Sequence, residues 1–290
     1  MNPEIINERI NDLYDENGKI KIIAIDHRNS LLNIWSPERL AYFKYFVTSR
    51  LSKYGTAVLI DPTQLSNQAE DFALKHNISV IKSAEDSDYD TTDDYERFTK
   101  ISTFFDAKQY ARQGVDYVKL LMYFNPEANN TEAQLDILRK VSDQAHGAGL
   151  PLLVEPILYE LGDNDLTYHK PNLTLKTLEM IFPYTDIFKI EFPEELHEDN
   201  YQQVIENSRN YLEAIDTITQ DKPWVLLSRG VNFDIYEKAL SECINYGAAG
   251  YAVGRAIWQE ATSFDTDIEI ENFITNTAVE RVKRLNQLLY

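Results

Sequence analysis

The sequence predicts an α/β chain folded as one (β/α)8 TIM barrel spanning residues 1–290. Two observations point there. Eight short apolar runs follow one another along the chain, and most gaps between them carry helical periodicity. Strands alternating with helices of about 10–15 residues make parallel βαβ units, and eight such units close into a barrel. A third observation counts against the competing architecture. An open doubly wound sheet requires a glycine-rich phosphate turn after its first strand, and residues 26–30 contain no glycine.

The runs are residues 20–25, closed by Asp26-His27-Arg28, and 56–60, closed by Asp61-Pro62. Residues 78–81 follow and lead into the polar stretch 82–94. Next are 115–124, closed by Asn125-Pro126, 150–158, closed by residues 159–165, and 186–192, closed by Pro193. The last two are 224–227, closed by Ser228-Arg229-Gly230, and 250–253, closed by Gly254-Arg255. Between them, residues 38–51 carry Leu40, Phe43, Phe46, Val47 and Leu51 at helical spacing. Residues 131–145 do so with Leu135, Ile137, Leu138 and Val141, and end at Gly147. Residues 232–246 are opened by Asn232 and stopped by Gly247. Residues 1–18 read as an N-terminal helix and turn capping the barrel bottom, and 264–290 as the last helix.

Composition narrows the function classes. The formal charge is −19, which argues against sequence-independent nucleic-acid binding, since that needs a basic face. The plain meaning of the acidity is solubility, so an anionic substrate needs a local basic pocket. No stretch approaches the roughly eighteen apolar residues of a membrane span. Cys243 is the single cysteine, so no intramolecular disulfide forms; a reducing compartment and a cytoplasmic location are expected. The five histidines show no metal-ligand spacing, so no metal is expected.

Three charged residues interrupt otherwise apolar strands: Lys119, Glu155 and Lys189. They stand 36 and 34 residues apart, one strand–helix unit each. A central parallel strand is normally a near-continuous apolar run, and a buried charge is costly unless paired or used. Two amines and a carboxylate at neighbouring strand ends suit imine chemistry on a carbonyl. Lys189 alternates with Ile190, so Lys189 and Glu191 face one way. If they face the lumen, burial favours the neutral, nucleophilic amine. The alternative is a lysine that snorkels from the strand end or pairs with Glu191. Lys119 is either structural or a second cation that depresses the amine of Lys189. Glu155 can shuttle protons, and a salt bridge to either lysine is compatible with that. Asp26 either orients the lysines or a substrate hydroxyl, or caps a helix. Ser228-Arg229-Gly230 and Gly254-Arg255 follow strands seven and eight, where barrels commonly build a phosphate pocket. Gly230 and Gly254 permit close backbone approach, and Arg255 can bind phosphate bidentately.

Together these segments resemble the class I tagatose-1,6-bisphosphate aldolase family and the related sulfofructosephosphate aldolases. The matching stretches are DENGKIKIIAIDHRNSL (15–31), AVLIDP (57–62), YDTT (89–92), GVDYVKLLMY (114–123), LVEPILY (153–159), FKIEFP (188–193), PWVLLSRGV (223–231) and GAAGYAVGRAIW (247–258). The resemblance implies a barrel and a metal-independent retro-aldol cleavage with no cofactor. It places the Schiff-base lysine on Lys189, the acid–base glutamate on Glu155, the assisting lysine on Lys119 and the first-strand aspartate on Asp26. It places phosphate binding on Ser228, Gly230, Gly254 and Arg255, and Arg28 is counted with them. Asn29 and Arg229 depart from the family pattern, which has small residues there; Arg229 either adds a cation for a phosphate or sulfonate or points outward.

The expected substrate is a ketose (bis)phosphate such as tagatose 1,6-bisphosphate, split to dihydroxyacetone phosphate and an aldehyde. A sulfosugar phosphate, a smaller deoxysugar phosphate, or a sugar-phosphate-sensing barrel with little turnover are the alternatives. The expected partners are a small phosphorylated sugar and further copies of the chain, as a dimer or tetramer; neither nucleic acid nor membrane is expected.

Overall fold

The computed structural model describes residues 3–92, 95–161 and 169–290. The ends of three predicted segments (1–2 of the N-terminal segment, 93–94 of the polar stretch, 162–165 of the turn after strand five) lie outside them. Among the described residues there are ten strands: β1 (Ile20–Ala24), β2 (Ala57–Ile60), β3 (Ser79–Ser83), β4 (Glu85–Thr91), β5 (Arg97–Ile101), β6 (Tyr117–Tyr123), β7 (Leu152–Ile157), β8 (Ile187–Ile190), β9 (Trp224–Leu227) and β10 (Gly250–Val253). Eight form a closed barrel in the order β1-β10-β9-β8-β7-β6-β3-β2, every described pairing parallel. They are the eight apolar runs, each helped into place by helices that cover the outer face.

The period-2 alternation sorts side chains into two layers. Leu120, Val154, Phe188, Ile190 and Leu226 point outward into the core shared with the helices. Each such side chain, fully buried, contributes about 1.5–3 kcal/mol. Ile22, Leu59, Ile81, Tyr117, Leu153, Ile187, Val225 and Ala252 point inward and fill the lower lumen. The helix Pro3–Asp12 lies beneath them: Leu13, fully buried, joins the lumen cluster, and the Tyr117 hydroxyl donates to the Arg9 carbonyl at 2.5 Å.

Helix limits follow their caps. Asn232 accepts from the Ile235 amide to open Phe233–Asn245, and Gly247 leaves that helix at φ 93°. Thr131–Gly147 buries Leu135, Leu138, Val141 and Ala145 against the barrel, while Ile137 is only partly covered. The final helical stretch is α-helical over Asp267–Phe273 and Val279–Leu288, with a π-helical turn at Ile274–Ala278 between them.

One stretch departs from the sequence expectation. The polar segment after β3 is not merely a connection: β4 and β5 form an antiparallel hairpin, with a register shift between Glu85 and Tyr89. Asp86, Asp88 and Asp90 make β4 read as loop, because acidic residues are depleted in strands. Tertiary contacts override that preference. Tyr89 packs on Tyr123 of β6 at 4.4 Å between centroids, and the Arg97 guanidinium lies 4.8 Å from the Tyr89 ring. Gln134, fully buried, donates to the Arg97 carbonyl at 3.0 Å and accepts from the Thr99 amide at 3.3 Å. The hairpin is thereby pinned against the top of β6, with Glu85 turned into the barrel mouth.

Candidate active site

At the C-terminal ends of the strands the lumen opens into a cavity of about 350 Å³. Asp26, Arg28, Lys119, Glu155, Lys189, Glu191, Ser228, Arg229, Gly254 and Arg255 all line it, as does Glu85. Gly230 is adjacent, and an added Cβ there would lie 3.1 Å from the Arg255 guanidinium. The first layer comes from three adjacent strands. Lys119 continues the inward row of Tyr117, Glu155 that of Leu153, and Lys189 that of Ile187. Leu121 pairs in register with Glu155, so Lys119 sits two residues lower on β6.

The three charged groups are in direct contact. The Lys189 ammonium donates to Glu155 Oε2 at 2.7 Å, and Lys119 Nζ lies 3.0 Å from the same oxygen. Lys119 also donates to Asp26 Oδ2 at 2.9 Å and to Glu85 Oε1 at 2.6 Å. The other Glu85 oxygen accepts the Leu121 amide at 3.0 Å. These contacts decide among the alternatives. Lys189 pairs with Glu155 rather than Glu191. Asp26 is not a helix cap, since the short helix Asn29–Leu32 has Arg28 at its N-cap position and no side-chain cap. Lys119 is not a bare second cation, because three carboxylates surround it.

Burial and charge act against each other here. Burial pushes the Asp26 carboxyl up, but Lys119, Lys189 and His27 outweigh it and hold the group well below the usual carboxylate range. Glu155 follows the same logic, with burial opposed by Lys119 and Lys189, and its pKa falls. Burial works to lower Lys119, yet Asp26, Glu155 and Glu85 keep it well above an ordinary lysine. Glu85 goes the other way: burial dominates over Lys119 and raises it. Glu85 was absent from the residues that the sequence singled out. Its signal was a lone glutamate following Lys82-Ser83-Ala84, hidden because β4 does not read as a strand.

His27 is packed edge-on to Trp258 at 5.0 Å, and its Nδ1 has no hydrogen-bond partner. Burial, with Arg255 and Lys189 also disfavouring the cation, lowers its pKa to about 4 despite Asp26. A depressed histidine binds its proton later in the folded state than in the unfolded one. Its contribution to stability is therefore complete above the unfolded pKa near 6.5 and is lost as pH falls toward about 4. The expected result is that His27→Gln flattens the wild-type loss of stability between pH 6.5 and 4. The slope difference should approach about 1.4 kcal/mol per pH unit, read from urea melts at stepped pH.

The side of the cavity that the sequence assigns to an anion is built by β9, β10 and the turns after them. Arg229 and Gly230 both adopt left-handed backbone, with φ 45° and 85°. Any side chain at 230 would press on Arg255, so glycine there lets the guanidinium lie against the backbone. Gly254 is equally close to β1: a Cβ would lie 3.0 Å from the Ala24 carbonyl. Arg255 has no carboxylate partner among the described residues, whereas Arg28 donates to the Glu85 carbonyl at 2.8 Å and lies 3.4 Å from Asp86. Five lysines and arginines face five carboxylates around the cavity, so it is balanced within a chain of net charge −19. Arg229 does not simply point outward: it lines the cavity and reaches Glu191 at 3.1 Å and Glu195 at 2.6 Å. Among the described residues no cluster of His, Cys, Asp and Glu has metal-binding geometry, and no helix is long and apolar enough to cross a membrane.

Residues 20–260 match the family model described as DeoC/LacD family aldolase. The chain belongs to the DeoC/LacD aldolase family. A tagatose 1,6-diphosphate aldolase from Streptococcus pneumoniae is 25% identical over 97% of this chain and 94% of its own length. Solved structures share the barrel. A Corynebacterium glutamicum protein superposes with a TM-score of 0.66 at 17% identity, covering 99% of this chain and 92% of that one. An archaeal fructose 1,6-bisphosphate aldolase gives 0.65 at 14% identity, covering 98% and 99%. This member of an aldolase family has a barrel mouth that holds two lysines bridged by one carboxylate.

Proposed function

We propose that this aldolase works through a Schiff base on Lys189 and cleaves a ketose phosphate, with tagatose 1,6-bisphosphate as the first candidate. The observation that carries the mechanism is the Lys189–Glu155 hydrogen bond of 2.7 Å in the cavity, with Lys119 on the same oxygen. The choice of sugar rests on the relatives' names.

Glu155 takes a proton from the Lys189 ammonium, and the free amine adds to the C2 ketone. Glu155 returns a proton as the carbinolamine loses water, leaving an iminium. Glu155, again a carboxylate, accepts the C4 hydroxyl proton. The C3–C4 bond breaks, its electrons pass into the iminium to give an enamine, and the aldehyde leaves. Protonation at C3 and hydrolysis then release dihydroxyacetone phosphate. Lys119 stays charged among its three carboxylates and steadies Glu155 and Asp26. Ser228, Gly230, Gly254 and Arg255 hold the C1 phosphate.

The test is intact mass and peptide mapping after incubation with dihydroxyacetone phosphate and sodium borohydride. One stable adduct on Lys189 is expected, and turnover should survive prior treatment with chelator. Absence of an adduct on folded protein with bound ligand would sink the Schiff-base reading, and strong inhibition by chelator would favour a metal-dependent route.

A further inference from the structure

Arg229 is a departure from the family pattern that the mechanism above does not use. It belongs to a four-membered charge cluster on the β8–β9 side of the mouth. Lys170 bonds Glu195 at 2.8 Å and lies 3.6 Å from Glu191. Arg229 bonds Glu195 at 2.6 Å and Glu191 at 3.3 Å. The four charges cancel, but the two cations differ in exposure: the Lys170 side chain is 2% exposed and that of Arg229 is 39%. Its grip on Glu191 is loose, since Glu191 Oε1 has no hydrogen bond although the Arg229 Nε is 3.1 Å away.

Two consequences follow. When the Arg229 head leaves, Glu195 keeps its hydrogen bond from the buried Lys170, and Glu191 keeps that ammonium 3.6 Å away but loses its hydrogen bond from Arg229. The Arg229–Glu195 pair is 39% and 32% exposed, a setting in which an ion pair is worth about 0–1 kcal/mol, so a dianion with more acceptor oxygens can compete for that guanidinium. The location also matters. Glu191 is two residues beyond Lys189 on the same inward row, roughly 7 Å farther toward solvent. Arg255, without a carboxylate partner among the described residues, follows β10, whereas the Arg229 head lies with Glu191 and Glu195 beyond β8.

We infer that Arg229 reads the distal end of the substrate: its guanidinium exchanges Glu191 and Glu195 for the phosphate on the aldehyde half. This deepens the ketose-phosphate reading and rests on it. Arg229 is then a specificity determinant for a second anionic group, in contrast to Arg255, which serves the first.

The test compares Arg229→Gly with wild type on tagatose 1,6-bisphosphate and tagatose 1-phosphate. Glycine suits the left-handed backbone at 229, so loss of the side chain does not cost the turn. The expected result is a fall of fivefold or more in the bisphosphate-to-monophosphate ratio of kcat/KM, carried by KM. A change in that ratio smaller than fivefold overturns the inference. Arg28→Lys is measured in parallel. If it collapses the ratio and Arg229→Gly does not, the distal anion lies beside β1 and the inference is equally overturned. Where wild type turns over neither sugar, the same ratio is read from Kd by calorimetry. Borohydride trapping of dihydroxyacetone phosphate on Lys189 reports separately on the underlying mechanism, because that ligand carries no distal phosphate.

Discussion

Lys189→Ala is expected to lower turnover to the buffer background and to abolish borohydride trapping, with the fold retained. The variant deletes the attacking nitrogen, and no other amine occupies its place: Lys119 is locked among Asp26, Glu85 and Glu155. Stability should change little, for two reasons. Removing a buried ammonium also removes its desolvation cost. Glu155 meanwhile keeps its contact with Lys119 at 3.0 Å and so is not left as an unpaired buried charge. A melting temperature within about 4 °C of wild type corresponds to a change on the order of 1 kcal/mol in a chain of this size. Lys189→Arg separates charge from nucleophilicity. It keeps a cation beside Glu155, yet arginine cannot supply a neutral amine, so it should be as inactive as the alanine variant. Near-normal rates in either variant would mean that the carbonyl is activated elsewhere.

The barrel was legible because parallel strands buried on both faces leave unbroken apolar runs, and all eight runs became strands. Lys119, Glu155 and Lys189 were legible for the same reason, as charges set in such runs at a one-unit period. What the sequence hid is physically different in each case. β4 and β5 form only because Tyr89, Gln134 and Thr99 dock them on β6, contacts between residues 24 to 37 positions apart. Glu85, which rides on that hairpin, was therefore hidden with it. The pairing of Arg229 with Glu191 and Glu195 was equally hidden, since local sequence does not specify which carboxylate a long side chain will reach. The left-handed backbone at Arg229 adds to this: φ 45° turns its side chain in a way that ordinary strand alternation does not predict.

Glu155→Gln is the second large effect expected. The amide preserves shape and can still accept a hydrogen bond from Lys189, but it cannot take a proton. Loss of a general base typically costs 10²- to 10⁴-fold in rate, and kcat should fall by about that much. Both proton-dependent stages suffer, so borohydride trapping should become slow rather than disappear. That distinguishes Glu155 from Lys189, whose removal leaves nothing to trap. A merely structural role would lower activity without altering its dependence on pH. A general base must be ionised, so wild-type kcat/KM should fall on the acid side as pH drops through the pKa of Glu155. Burial raises that pKa, but Lys119 and Lys189 together pull it below the ordinary glutamate value, so the acid limb should lie at low pH. In Glu155→Gln the limb assigned to this group should vanish while the residual rate persists. If the variant keeps the wild-type acid limb, the proton acceptor is another carboxylate. Asp26 is then the next to test, since it shares Lys119 with Glu155 at 2.9 Å and is held ionised by the same two lysines.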